Sequence, residues 1–185
     1  GFIERSMTEL PIDENTPLHV ASVSKTMTAM AVLKLVEAGK LKLEDDLTKF
    51  FPKFPYQNIT VFSLLSQRSG LPKYEHFDKS ITPAPEELKQ EFLTNQSVLE
   101  MLIKYKPELA RMSNSGFMYC NTNFALLALI VEKVTETPFP EAMQEIVFKP
   151  LKMNHSYIFQ KKDIPTASQS FFSGYRMYPL DNLDL

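Results

Sequence analysis

Two polar residues three positions apart, at the start of an apolar stretch, are the first candidates for chemistry. In the segment HVASVSKTMTAM, residues 19–30, Ser22 is followed by Lys25. Residues three apart on a helix share a side, so a helix that begins at Ser22 brings a hydroxyl and an amine together. Serine becomes a nucleophile when a base takes its proton, and lysine can be that base when burial lowers its pKa from about 10.4. The helix start also offers free backbone N–H groups that favour a developing oxyanion.

The same pattern has an ordinary structural interpretation. Ser22 or Ser24 would cap the helix, and Lys25 would extend its ammonium into water. A Ser-x-x-Lys tetrapeptide also arises by chance about once in a chain of this length, because serine and lysine each make up roughly 6–7% of residues. The tetrapeptide alone therefore does not decide between a nucleophile and a helix cap.

A second pair of polar residues precedes another helical segment. In GFMYCNTNFALLALI, Tyr119 and Asn121 are two positions apart, so in an extended or turn segment they point the same way. A phenol beside an amine and a hydroxyl can transfer a proton, and an amide side chain can both donate to and accept from a substrate amide. Taken alone, these would be a packing tyrosine and a turn asparagine. Two such motifs, each at a helix start, favour a catalytic site.

These residues require helices to position them. The stretch SVSKTMTAMAVLKLVEAG lacks proline and is apolar on nearly every side, which predicts a buried helix over 22–38 through the middle of the domain. Short helices and proline-rich connections are expected from 43 to 150, with one helix capped at Thr60 and another capped near Asn95 or Ser97. Strands are expected only within the first ~20 and the last ~30 residues.

Composition excludes several classes of function. The 185 residues fit one domain, and 20 basic against 22 acidic residues give a net charge of −2 with no basic face for a nucleic-acid partner. No run of 18 apolar residues is present, so no membrane span is expected. With Cys120 as the single cysteine, no intrachain disulfide can form. The three histidines are scattered, so we expect no metal site; they are His19, His76 and His155.

With these motifs, the sequence resembles the serine β-lactamase and penicillin-binding protein superfamily, specifically the class C β-lactamase-like hydrolases and esterases. The resemblance covers roughly residues 13–178 and includes the Ser-x-x-Lys motif of these enzymes. It rests on four segments: TPLHVASVSKTMTAMAVLKLVEAGKLKLEDDLTKFFP, ITVFSLLSQRSGLP with its Ser-Gly-Leu-Pro turn, YCNTNFALLALIVEKVTETPF with its Tyr-x-Asn motif, and IVFKPLKMNHSYIF.

The resemblance implies a role for each of the four polar residues. Ser22 would be the acylated nucleophile, Lys25 its partner, Tyr119 the proton-transfer residue, and Asn121 the group that binds the substrate's amide carbonyl. No metal or organic cofactor is implied. The reaction would be acylation and deacylation of a β-lactam, a D-alanyl peptide or a small ester, and the sequence does not choose among them. The alternative is a non-catalytic binding module of the same fold, or an inactive fragment.

Two residues and one missing motif depart from the family pattern. Gln67 stands before the Ser-Gly turn, where relatives often have a histidine that is not normally catalytic. Cys120 stands where serine is more common, and we expect a small buried filler there. The third motif, Lys- or His-Thr/Ser-Gly, is absent from the chain. We therefore expect an α+β, β-lactamase/transpeptidase-like fold of which this chain holds mainly the helical part and an N-terminal strand, with most of the antiparallel sheet missing.

The predicted organisation is a single partial domain. Part of the nucleophile helix would be left uncovered, and a second copy or a missing C-terminal segment would complete the fold. The resemblance suggests a periplasmic or secreted protein, or a cytoplasmic one if it is an esterase. The expected parts are a strand and approach at 1–21, the nucleophile helix at 22–39, a helical region at 40–160, and a loop-like end at 161–185.

Overall fold

The structure is a computed structural model, and it describes residues 2–4, 7–11, 13–14, 16–89, 93–163, 171–172 and 175–176. The expected loop-like end at 161–185 lies mostly outside these residues. The described strands occur only near the two ends of the chain, where the sequence predicts them. They form two antiparallel pairs: β1 (Phe2–Glu4) with β2 (Met7–Pro11), and β3 (Phe171–Phe172) with β4 (Tyr175–Arg176).

The region between the strands is helical, as the sequence predicts. Its described α-helices are α1 (Ser24–Glu37), α2 (Val61–Leu65), α3 (Phe77–Ser80), α4 (Asn95–Tyr105), α5 (Asn121–Thr135) and α6 (Phe139–Met143). A π-helical turn, Gln144–Phe148, continues α6, and short 3-10 turns lie at Ala21–Val23, Leu47–Lys49, Tyr74–His76, Glu86–Lys89 and Lys161–Asp163. No described helix is long and apolar enough to cross a membrane.

The centre of the described core is α5, not the 22–38 helix that the sequence predicts for this place. Helix α5 is apolar nearly all round and packs against α1, α2, α4 and α6. Fully buried side chains along it include Leu126, Leu127 and Ile130. Because its apolar residues are covered on several sides, α5 is the element that fixes the positions of the other helices.

Helix α1 is buried on one side only among the described residues. Ala31 and Val32 are fully buried, whereas Val23 in the preceding turn is 62% exposed and Leu33 is 49% exposed. The buried side faces α5, α6 and the π-helical turn, whereas the described residues that line the open apolar surface on the opposite side all belong to α1. The uncovered apolar side agrees with the expectation that most of the sheet is missing from this chain.

The helix caps follow the sequence closely, with one shift. Thr60 caps α2 as predicted, and it forms a reciprocal capping box with Ser63. Helix α4 is capped by Thr94, whose hydroxyl accepts the Ser97 N–H at 3.0 Å, and not by Asn95 or Ser97 themselves. The N-cap residue needs an extended backbone, and Thr94 has one (ψ 163°), whereas the residues after it are helical.

Candidate active site

Ser22 lies in a 3-10 turn just before α1, not in the first turn of α1 itself. The turn spans Ala21–Val23, and the α-helix begins at Ser24. Ala21 has φ +45°, in the left-handed region that a non-glycine residue occupies at a cost of about 1–2 kcal/mol. Backbone strain of this kind is concentrated at functional sites. The left-handed backbone of Ala21 sets the direction of the chain at Ser22, whose side chain is exposed.

The hydroxyl of Ser22 receives two hydrogen bonds. Lys25 Nζ donates to Ser22 Oγ at 3.0 Å, and Tyr119 Oη donates to the same oxygen at 2.7 Å. Lys25 Nζ also lies 5.2 Å from the centroid of the Tyr119 ring and 5.8 Å from that of Phe124. The structure thus brings Ser22, Lys25 and Tyr119 into one cluster, with the serine oxygen between a cation and a phenol.

Helix capping does not explain these residues. Neither the 3-10 turn nor α1 has a side-chain cap hydrogen bond. Ser24 instead donates its hydroxyl to the carbonyl of Ala21 at 2.7 Å, and Thr26 donates to Val23 at 2.7 Å. Ser22 Oγ makes its described side-chain hydrogen bonds with Lys25 and Tyr119. The capping interpretation of Ser22 is therefore wrong.

The surroundings of Tyr119 favour its ionised form. Partial burial raises the pKa of the phenol, but the polar contact and positive charge of Lys25 and the hydrogen bond with Ser22 outweigh that effect. The net pKa of Tyr119 is lowered from its usual 10.0. Tyr119 remains 42% exposed, so its phenol is accessible to solvent.

Asn121 lies beside this cluster as the first residue of α5. Its side-chain Nδ2 donates to Glu75, and its Oδ1 is buried with no described hydrogen-bond partner. A carboxylate accepts and does not donate, so the Glu75 contact fixes which end of the amide faces outward. The described hydrogen bond of Asn121 therefore goes to a residue that the sequence analysis did not select, and not to Ser22 or Lys25.

Gln67 is a second residue that the sequence analysis did not assign to the site. Its Oε1 accepts the Cys120 N–H at 2.9 Å and the Asn123 side-chain amide at 2.6 Å, and its backbone carbonyl accepts the Met118 N–H at 2.8 Å. These bonds hold the chain on both sides of Tyr119. Gln67 is 6% exposed, and burying a glutamine requires such partners. The sequence signal was a polar side chain two residues before Ser69, the first residue of the Ser-Gly-Leu-Pro turn.

The Ser-Gly-Leu-Pro turn is bonded to the first turn of α5 in two more places. Ser69 Oγ donates to Asn123 Oδ1 at 2.5 Å. Thr122 Oγ1 donates to the Pro72 carbonyl at 2.8 Å and accepts the Tyr74 N–H at 3.0 Å. The turn that follows α2 and the start of α5 are thus one polar unit, which explains why two distant sequence segments together position Tyr119 and Asn121.

Glycine is required within this turn. Gly70 has φ +76°, and a Cβ built on it would lie 2.0 Å from the carbonyl oxygen of Arg111. The Gly70 carbonyl also accepts the Ala110 N–H at 2.9 Å. The loop that leads to Tyr119 therefore packs directly on the glycine backbone, and any side chain there would push the loop away.

Cys120 is buried between Tyr119 and Asn121. Its Sγ lies 3.4 Å from the Leu71 carbonyl oxygen and 3.7 Å from that of Pro72. Burial raises the pKa of the thiol, which keeps it protonated and unreactive. Its position agrees with the small filler that the sequence analysis expects. Among the described residues, no group of three or more metal-binding side chains lies close enough together to hold a metal ion.

The sequence matches known proteins over most of its length. A family model described as Beta-lactamase matches residues 4–176. Penicillin-binding protein 4* of Bacillus subtilis (strain 168) is 31% identical over 176 residues, which are 95% of this chain and 38% of that protein. Protein flp of Staphylococcus aureus (strain MRSA252) is 30% identical over 154 residues, 80% of this chain and 29% of that protein. The chain thus spans less than half the length of these relatives.

Solved structures show the same fold. An octameric penicillin-binding protein homologue from Pyrococcus abyssi superposes with a TM-score of 0.74 and 26% identity, covering 93% of this chain and 40% of that one. A penicillin-binding protein from Bacillus halodurans superposes with a TM-score of 0.70 and 28% identity, covering 95% of this chain and 52% of that one. The described helices are therefore one part of a larger β-lactamase/transpeptidase-like architecture.

Proposed function

Because the chain belongs to the β-lactamase family, within the serine β-lactamase and penicillin-binding protein superfamily, we propose that it supplies the nucleophile of a serine hydrolase that acts through an acyl-enzyme. The observation that carries this proposal is the position of Ser22 Oγ, 3.0 Å from Lys25 Nζ and 2.7 Å from Tyr119 Oη. A serine hydroxyl with proton-transfer groups in direct contact is the arrangement that nucleophilic catalysis needs.

Acylation begins with loss of the Ser22 proton. Ser22 Oγ bonds to the substrate's carbonyl carbon as its proton passes to the Lys25–Tyr119 pair. The carbonyl oxygen becomes an oxyanion, and the positive end of the α1 dipole favours that charge. The tetrahedral intermediate then collapses, the bond to the leaving nitrogen or oxygen breaks, and the leaving group takes the proton from the pair.

Deacylation uses water in the same way. The pair removes a proton from a water molecule as its oxygen attacks the acyl carbon. The ester bond to Ser22 Oγ breaks, the serine recovers a proton, and a carboxylic acid leaves. Because Lys25 and Tyr119 both contact or face the serine oxygen, we treat their protonation as shared and assign the general base to the pair.

The substrate class is part of the proposal. A β-lactam, a D-alanyl peptide and a small ester all react by this route, and the loops that select among them vary on one fold. The Asn121 amide would bind the substrate's amide carbonyl. The contact between Asn121 and Glu75 supports a site on this side of Ser22 that holds a polar substrate group.

A second function is a binding module that keeps the fold without turnover. The absence of a Lys- or His-Thr/Ser-Gly motif from the 185 residues favours this alternative for the chain by itself. Such a module would retain the cluster around Ser22 but would not form a stable covalent adduct.

Covalent labelling separates the two functions. The protein that carries this chain is incubated with a fluorophosphonate and, separately, with a fluorescent penicillin, and the digested product is examined by mass spectrometry. We expect an adduct on the peptide that contains Ser22 and none in Ser22→Ala. Ser24→Ala, which removes a hydroxyl bonded to a backbone carbonyl, is the matched control and should still label. Labelling of Ser22→Ala would show that the nucleophile lies elsewhere, and no labelling by either probe would favour the binding module.

A further inference from the structure

Glu75 places a carboxylate at the Asn121 side of the cluster. It lies in the 3-10 turn Tyr74–His76, it is exposed, and it accepts a hydrogen bond from Asn121 Nδ2. The turn itself is fixed to α5, since the Tyr74 N–H donates to Thr122 Oγ1 at 3.0 Å. The carboxylate is therefore held at the site by the fold and is not a freely moving surface group.

The charge of Glu75 is not neutralised within the described residues. No described lysine or arginine forms an ion pair with it, whereas several other acidic residues have such partners, among them Asp45 with Lys49. Its charge also acts on the cluster, because it opposes ionisation of the Tyr119 phenol. The site thus presents a positive charge, Lys25, beside the nucleophile and a negative charge beside Asn121.

We propose that Glu75 selects substrates that carry a protonated amine close to the group bound by Asn121, and disfavours substrates that carry a carboxylate there. This inference rests on the proposed function of Ser22 and narrows its substrates to cationic esters or amides. A carboxylate at hydrogen-bonding distance from the substrate-binding amide can accept an ammonium N–H directly. It would repel an anionic group at the same place.

A simpler role for Glu75 is to orient the Asn121 amide. A glutamine at this position would serve that role equally, because its Oε1 also accepts a hydrogen bond. Glu75→Gln therefore removes the charge and keeps the acceptor, whereas Glu75→Ala removes both. Glu141 is exposed on α6, outside this turn. Glu141→Gln is therefore the matched control, because it removes the same charge at another place.

The test uses three fluorophosphonates of equal length on the full protein. One ends in a neutral methyl group, one in a protonated amine and one in a carboxylate, and the second-order rate of Ser22 labelling is measured for each. We expect the amine probe to react roughly two- to fivefold faster than the neutral probe, and the carboxylate probe more slowly, because the charges meet at an exposed surface. High salt should shrink these ratios in the unmodified protein, since exposed charges are screened.

The outcomes are distinct. The proposal holds if the amine-to-neutral ratio falls towards one in Glu75→Gln and persists in Glu141→Gln. An unchanged ratio in Glu75→Gln overturns it, as does a ratio in the unmodified protein that is near one or insensitive to salt. If Glu75→Ala slows all three probes alike and Glu75→Gln behaves as the unmodified protein, Glu75 only orients Asn121. If no probe labels Ser22, the proposed function itself fails and the inference fails with it.

Discussion

Tyr119 Oη lies 2.7 Å from Ser22 Oγ, although 97 positions separate the two residues in the chain. The contact joins the 3-10 turn before α1 to the residue before the N-cap of α5. Because α1 and α5 pack directly against each other, the distance between these two oxygens is set by the helical core.

Lys25 and Tyr119 are expected to act as one proton-transfer unit. Lys25→Ala and Tyr119→Phe should each slow acylation of Ser22 by ~10²-fold or more, the usual scale for a positioned proton-transfer residue. The double variant should lose little beyond the slower single variant, because residues that act together have non-additive effects. Single-turnover labelling kinetics measure this. Fully additive losses would show that the two residues act independently.

The rate of Ser22 labelling should rise with pH, with a midpoint below 10.0, the usual pKa of a tyrosine phenol. The lowered pKa of Tyr119 makes the phenolate available at lower pH, and the phenolate can take the serine proton. Lys25→Ala should move the tyrosinate absorbance change to higher pH, because the lysine charge lowers this pKa. Glu75→Gln should move it to lower pH, since Glu75 has the opposite effect. A midpoint that is unchanged in Tyr119→Phe would contradict the assignment.

Gln67 is expected to hold the Tyr119 segment in place. Gln67→Ala leaves the Cys120 N–H and the Asn123 amide without their acceptor, and each unsatisfied buried group costs about 1–3 kcal/mol. We expect Gln67→Ala to have a lower free energy of unfolding, measured by urea denaturation, and slower labelling of Ser22. Gln96→Ala is the matched control, because Gln96 is exposed on α4 and its loss should change stability by no more than about 0.5 kcal/mol. Equal effects of the two substitutions would show that Gln67 does not hold the Tyr119 segment in place.

Two glycines with similar backbones give a controlled test of the Ser-Gly-Leu-Pro turn. Gly70→Ala places a Cβ against the Arg111 carbonyl oxygen, whereas a Cβ at Gly39, with φ +69°, meets no atom within 4 Å. Gly39→Ala should therefore cost only about 1 kcal/mol of left-handed strain. Gly70→Ala should cost about 3 kcal/mol or more, as overpacking adds to that strain. Thermal unfolding measures both, and similar values would mean that the loop does not pack on Gly70.

The uncovered side of α1 should make the 185-residue chain self-associate when it is produced alone. This side includes Ala29, Met30 and Leu33, and apolar patches of this kind drive association. Leu33→Glu should reduce light scattering and binding of an apolar dye. Gln96→Glu adds the same charge at an exposed position of α4, and it should leave both the light scattering and the dye binding unchanged. A monomeric unmodified chain that binds no dye would show that this side of α1 is covered.

The local parts of the site could be predicted from the sequence because they depend on short-range geometry. The three-residue spacing of Ser22 and Lys25 places their side chains together on a helical turn, and the structure has that hydrogen bond. The cap at Thr60 and the helix end at Gly39 likewise follow from backbone preferences of single residues. The family was also evident in the quoted motifs, and the family model confirms it.

The resemblance implied one long-range contact, that of Tyr119 with Ser22, but the other contacts between distant segments were beyond such reasoning. Nothing in the spacing of Gln67 and Cys120 indicates that an amide oxygen would accept a backbone N–H 53 positions away. The contact of Glu75 with Asn121 is equally remote in the chain. The place of α1 was predicted wrongly for a related reason: its apolar residues indicate how much surface it can bury, but not which elements cover it.

The sequence by itself therefore determined the candidate reactive groups, the helices that carry them and the family. The tertiary structure decided that Ser22 lies in a strained 3-10 turn, that α5 is the central helix, and that Gln67 and Glu75 contact the segment that carries Tyr119 and Asn121. Helix period and capping act over three or four residues and can be read along the chain. Hydrogen bonds between segments some fifty positions apart exist only after the apolar core has packed, because the packing of the helices sets the distances between their side chains.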